Sequence, residues 1–137
     1  MMIRRALIAV VAFTISVVGA AAQTKVAKGP IKPTSASNAK QMFDTYCAVC
    51  HGKDGKGTGP AATALTKTPA DLTRISTRNG GTFPDVRVKR YIEGLDEVPA
   101  HGTRDMPMWG SLFRSLNHDT AVLRIQGLSD YLKSLQQ

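Results

Sequence analysis

Thr45-Tyr46-Cys47-Ala48-Val49-Cys50-His51-Gly52 holds the only two cysteines of the chain, three positions apart, with a histidine directly after the second. Three chemistries use closely spaced cysteines. Structural zinc needs four ligands, typically from two such pairs; there is no second pair, and His101 and His118 stand alone. Thioredoxin-like redox chemistry wants C-x-x-C opening a helix after a strand, and here a helical pattern comes first. Covalently attached haem wants C-x-x-C-H, which is what is written. On a helix Cys47 and Cys50 are i, i+3, and Cys47 and His51 are i, i+4, so the three side chains share one face. Two sulfurs can then bond the haem vinyl carbons while the imidazole meets the iron from the same side.

Upstream, Ala39, Met42, Phe43 and Tyr46 fall at i, i+3, i+4, i+7, an apolar face that runs into Cys47. Ser37 or Asn38 can cap that helix. Downstream, residues 52–60 hold four glycines and end in Pro60. Such a loop needs unusual backbone angles or close approach to something bulky. Residues 61–83 are mixed, with turn signals at Pro69 and Asn79-Gly80-Gly81. A second helix is expected from Pro84 to Glu93, with Val88, Ile92 and Leu95 inside and Gly94 as its stop. Residues 96–111 read as irregular. A last helix is expected from Asp119 to Leu135, on a stripe of Val122, Ile125, Leu128, Leu132 and Leu135. No alternating strand is present. The expected fold is all-α, with three main helices joined by long loops. Such loops argue against an assignment unless they wrap a large buried cofactor that supplies the missing core.

The chain start reads differently. Arg4 and Arg5 precede an apolar run to Ala22 that ends in small residues, the order of a secretory signal at 1–22. Residues 23–37, rich in Pro, Lys and small polar residues, read as a flexible leader, and 38–137 as the folded domain. An uncleaved anchor is the alternative, but the run is at the short limit for spanning a bilayer and its Ala-x-Ala end favours removal; no stable membrane insertion is expected after cleavage. Export to the periplasm means an oxidising compartment, where two cysteines are expected to be bridged or chemically consumed. Thioether bonds to haem consume both. The formal charge is +8 over the chain, and loss of Arg4 and Arg5 leaves 16 basic against 10 acidic side chains over 23–137, or +6. Aromatic residues are 6% of the chain and no arginine-rich run is present, which points away from nucleic acid. The charge suits a solvated basic surface or steering toward an acidic patch on a partner.

Four segments together resemble the class I monohaem cytochromes c: Phe43 through Cys47, Cys50, His51 and Gly52; Gly59-Pro60; Met106-Pro107-Met108-Trp109-Gly110; and Tyr131-Leu132-Lys133-Ser134-Leu135. The resemblance spans about residues 38–135. It implies the cytochrome c fold around one haem c, held through Cys47 and Cys50, with Phe43 and Tyr131 where the first and last helices cross. The family usually carries glycine where this chain has Ala39, which implies a slightly wider crossing. The resemblance also implies that the Pro60 carbonyl accepts from the His51 ring, fixing its tautomer and strengthening it as an iron donor.

Electron-transfer haems use Met or His in the second axial position. Met106 and Met108 flank Pro107, and in extended chain i and i+2 face the same way, so spacing does not choose between them. Proline biases Met106 toward an extended backbone, and the family's ligand is usually the methionine directly before proline. Met106 is therefore the expected ligand and Met108 the alternative. His101 would give bis-His ligation but reads as a loop residue, and His118 as surface. Tyr46 and Trp109 are expected in the core, each able to offer a donor to a haem propionate. Arg74, Arg78 and Arg104 are candidate propionate partners. Pro69-Ala70-Asp71-Leu72-Thr73 resembles a haem-side loop of related sequences, without a legible role.

The implied function is a non-enzymatic carrier of single electrons between redox partner proteins. The alternative is the same chemistry as a fixed subunit of a larger periplasmic dehydrogenase or oxidase. A haem enzyme or gas sensor needs an open iron site, against which the Met-Pro-Met-Trp segment speaks.

Overall fold

A computed structural model of the chain describes residues 32–96 and 106–137. The expected signal, the first part of the leader, His101 and Arg104 lie outside those residues. All regular structure among the described residues is helical.

The first helical run begins where the sequence places it. Asn38 caps α1 (Ala39–Met42), its Oδ1 accepting from the Gln41 amide at 2.9 Å. The run continues through a π-helical stretch, Phe43–Cys47, into α2 (Ala48–His51). The sequence reading expects one uniform α-helix, whereas the Ala48 amide reaches back five residues to the Phe43 carbonyl. The wider turn re-phases the faces around it. Phe43, Cys47 and His51 line one side of a cavity, while Met42 and Tyr46 are buried elsewhere.

Two 3₁₀ turns, Ala62–Ala64 and Leu72–Arg74, lead to α3 (Ile75–Arg78). Then comes α4 (Asp85–Glu93), ended by Gly94 at φ +83, a left-handed stop that a side chain would strain. Val88 and Ile92 are buried as expected, but Leu95 is 60% exposed. The left-handed turn at Gly94 takes the chain off the helix before Leu95 can join its inner face.

A helix the sequence reading does not foresee, α5, runs over Trp109–Leu116. Trp109, Leu112, Phe113 and Leu116 have helical spacing, but Pro107 and Gly110 mask the signal. The last helix, α6, covers Ala121–Ser134. Its buried row is Ala121, Ile125, Leu128 and Leu132, and the expected member Val122 is 74% exposed. Arg124 and Ser129 are buried on this helix too. Phe43 and Tyr131 meet at the crossing, as the resemblance implies. Gly127 of α6 faces Ala39 there, and a Cβ built on Gly127 would stand 3.6 Å from that of Ala39.

The end of the expected leader is held on the domain. Thr34 is buried and hydrogen-bonded to Tyr46 and Arg124. The chain thus joins the fold a few residues before 38, through long-range contacts that leave no local pattern.

Candidate haem site

The main cavity, about 250 Å³, opens between the first helical run, the 69–79 segment, α4, the Met106–Trp109 segment and α6. Its wall is largely apolar, from Phe43, Leu72, Ile75, Val88, Ile92, Leu128 and Leu132 among others. Cys47, His51 and Met106 line it together. A second, smaller cleft is lined by Tyr46, Cys50, Leu65, Lys67, Pro69 and Pro107. The two share Cys47, His51, Met106 and Trp109. The residues expected to hold a haem and its iron therefore meet at one junction.

His51 is 7% exposed, with Nδ1 3.0 Å from the Ala70 carbonyl. A carbonyl only accepts, so Nδ1 carries the proton and the neutral ring keeps its lone pair on Nε2, the nitrogen that would serve a metal. The acceptor differs from the expected one: the 69–73 loop, and not Pro60, supplies the carbonyl facing the ring. That loop is built to do so. Asp71 accepts from the Thr73 amide at 2.9 Å and hydroxyl at 2.6 Å, and the Leu72 amide donates to the Gly55 carbonyl at 2.7 Å. Two of the glycines that follow His51 stand hard against the chain's own backbone. A Cβ on Gly57 would run into the Pro69 carbonyl oxygen, and one on Gly59 would stand 2.5 Å from that of Val49.

Met108 lines neither space. It is 49% exposed, with its Cβ beside Gly94. Burial pushes the Cys47 thiol up to about 12, with Cys50 beside it adding to the rise, and burial raises Cys50 as well. A catalytic C-x-x-C shows the opposite, a lowered thiol pKa. Among the described residues no group of three or more His, Cys, Asp and Glu side chains stands together as a metal site. The model of the cytochrome c family matches residues 36–136.

The chain belongs to the cytochrome c family.

No curated protein and no solved structure matches it. As a class I monohaem cytochrome c, it carries a covalent haem c with its iron, attached at Cys47 and Cys50. The donor set fits that group. The two cysteines are unbridged, and an S–H adding across each vinyl double bond gives the two thioethers with no oxidant needed. His51 is held in the tautomer that offers Nε2 to iron, and the surrounding wall is apolar.

Of the candidate propionate partners, Arg78 lines the cavity and donates to the Asp71 carbonyl at 2.7 Å, whereas Arg74 does not line it. Sequence reasoning misses Arg87, Asn79 and Tyr91, which line it as well. Arg87 and Tyr91 are findable from sequence, since with the capping Pro84 and with Val88 of α4 they fall at i, i+3, i+4, i+7. Ala70 was not, because it acts through its backbone. Tyr46 is in the core, its hydroxyl donating to the Lys32 carbonyl at 2.9 Å. No helix among the described residues is long and apolar enough to cross a membrane.

Proposed function

We propose that this cytochrome c is an exported carrier of single electrons whose iron is held by His51 and Met106. The observation that carries the reading is that Met106 shares both cavity walls with Cys47 and His51, whereas Met108 shares neither. Bound haem supplies a one-electron ferric–ferrous couple. The chain's own residues hold it still: the Ala70 carbonyl orients His51, and the apolar wall limits water around the iron, which favours a raised potential. Arg78 and Arg87 are cations available to the haem carboxylates.

Export rests on the basic, apolar and small-residue order of 1–22, and places the carrier in the periplasm. Lys53 and Lys56 are exposed in the loop after His51, and Lys67 lies on the cleft beside Cys50. They support docking of an acidic patch on a redox partner at the thioether edge, in weak contacts that salt screens. Val122 and Leu123, both exposed at the start of α6, favour a second reading, a fixed subunit of a larger dehydrogenase or oxidase. Co-purification with that complex through salt washes would decide for it.

The ligand test is spectroscopic. The sulfur-to-ferric-iron charge-transfer band is expected to vanish in Met106→Ala and to persist in Met108→Ala. Ready carbon monoxide binding by the ferrous wild type would overturn the carrier in favour of an open iron site.

A further inference from the structure

Arg124 is the one buried arginine among the described residues, at 6% exposure. Among them, no ion pair includes it. Its hydrogen bonds go to neutral atoms: Nη1 to Thr34 Oγ1 at 3.1 Å and Met42 Sδ at 3.6 Å, and Nη2 to the Thr34 carbonyl at 2.8 Å. Its Nε is buried without a hydrogen-bond partner. A cation withdrawn from water onto neutral acceptors alone is a net cost for stability. An aliphatic side chain would fill α6 more cheaply, so packing does not account for an arginine here.

What the guanidinium does is fix the entering chain. The donors run in one direction: Arg124 to the Thr34 hydroxyl, Thr34 to the Tyr46 hydroxyl at 3.0 Å, and Tyr46 to the Lys32 carbonyl at 2.9 Å. Residues 32–34 become a strap tied to both α6 and the first helical run. The tie reaches the haem side through rings. Tyr46 packs against Trp109 at 5.5 Å and Phe113 at 5.6 Å between centroids, and Arg124 sits 6.0 Å over Phe113. Tyr46 and Trp109 line the same cleft as Met106 and Pro107.

We propose that Arg124 and the strap at 32–34 position Met106. They lock the Tyr46–Trp109 wall from which the Met106–Pro107 segment extends, and so keep the methionine sulfur on the iron. Arg124 is a positioning residue that acts through Tyr46 and Trp109. The inference rests on the His51/Met106 reading.

The test uses the full holoprotein and reads local opening of the iron, which global stability alone does not move. Carbon monoxide binding to the ferrous protein is timed under conditions where far-ultraviolet circular dichroism is native for every variant. Arg124→Met is expected to bind at least tenfold faster than wild type, Thr34→Val at least threefold faster, and the double variant no faster than Arg124→Met. Ser129→Ala, which removes a hydrogen bond from the same helix toward α4, is expected to match wild type. A rate within twofold of wild type in Arg124→Met, or equal acceleration in Ser129→Ala, would overturn the proposal. If Arg124→Met does not fold, Thr34→Val decides alone, and an unchanged rate overturns the strap. Failure of the ligand reading shows separately, as a wild-type charge-transfer band that survives in Met106→Ala.

Discussion

The rings of Phe43 and Tyr131 stand 5.2 Å apart between centroids and tilted by 53°, where the first helical run crosses α6. Phe43 is fully buried and also lines the haem cavity. One side chain thus closes the helix crossing and walls the cofactor. Phe43→Ala removes the ring pair, worth about 0.5–1.5 kcal/mol beyond area, and leaves a void. The expected loss is about 3–5 kcal/mol in denaturant unfolding of the holoprotein.

Two helical glycines should respond in opposite directions. A Cβ on Gly110 would lie 2.7 Å from the Glu93 carbonyl oxygen, at the contact of α5 with the end of α4. Gly110→Ala is expected to destabilise by about 1–3 kcal/mol. A Cβ on Gly127 would make ordinary contacts, 3.6 Å to Ala39 and 3.7 Å to Met42. Gly127→Ala is therefore expected to stabilise by about 0.5–1 kcal/mol, through the lower entropy of its unfolded chain. Thermal unfolding of the two variants side by side checks the pair, and a lower melting temperature for Gly127→Ala would contradict it.

Gln136 is expected to matter for the 69–79 segment. Gln136 accepts from the Ser76 amide at 2.8 Å and donates to the carbonyls of Leu72 at 2.8 Å and Leu132 at 2.7 Å. It staples α6 to the 69–79 segment that carries Ala70. Gln136→Ala should lower stability by about 1–2 kcal/mol and speed amide hydrogen exchange in residues 72–78. Unchanged exchange there would show that the segment holds without it.

Asp85 carries the expected acid sensitivity. Hydrogen bonds from Lys89 and then from Ser129 hold its carboxyl below the ordinary value of 3.8. A depressed folded pKa gives stability that is full above the unfolded value and is lost as pH falls through the folded one. Ser129 is fully buried and donates to Asp85 at 2.8 Å, while the Asp85 side chain is 36% exposed. Ser129→Ala should therefore lose only about 1 kcal/mol near pH 7. The gap to wild type should narrow below about pH 4. A gap that stays constant with pH would place the loss in packing rather than in the charged hydrogen bond.

The cap at Asn38, the stop at Gly94, the buried Val88 and Ile92, and the Phe43–Tyr131 meeting were all legible. The cap, the stop and the buried pair rest on neighbours within a few residues or on a periodic row, whereas the ring meeting came from the family resemblance alone. Val122 misled because a stripe marks which face is apolar, not how far the rest of the protein covers it, and Leu95 because the chain turns off the helix at Gly94. α5 was missed because Pro107 and Gly110 outweighed the spacing of Trp109, Leu112, Phe113 and Leu116.

By itself the sequence determined the cofactor chemistry. C-x-x-C-H is a local arrangement, and a helix puts its three side chains on one face wherever the rest of the chain goes. Only the tertiary structure decided that Ala70 rather than Pro60 faces the His51 ring, that Met106 rather than Met108 reaches the cavity, and that Thr34 is clasped by Arg124. Ala70 is 19 residues from His51, and Thr34 is 90 from Arg124. Backbone carbonyls look alike in every residue, and the proline bias that favours Met106 does not say which methionine reaches the cavity. Which one meets a partner is settled by where the helices bring distant segments together.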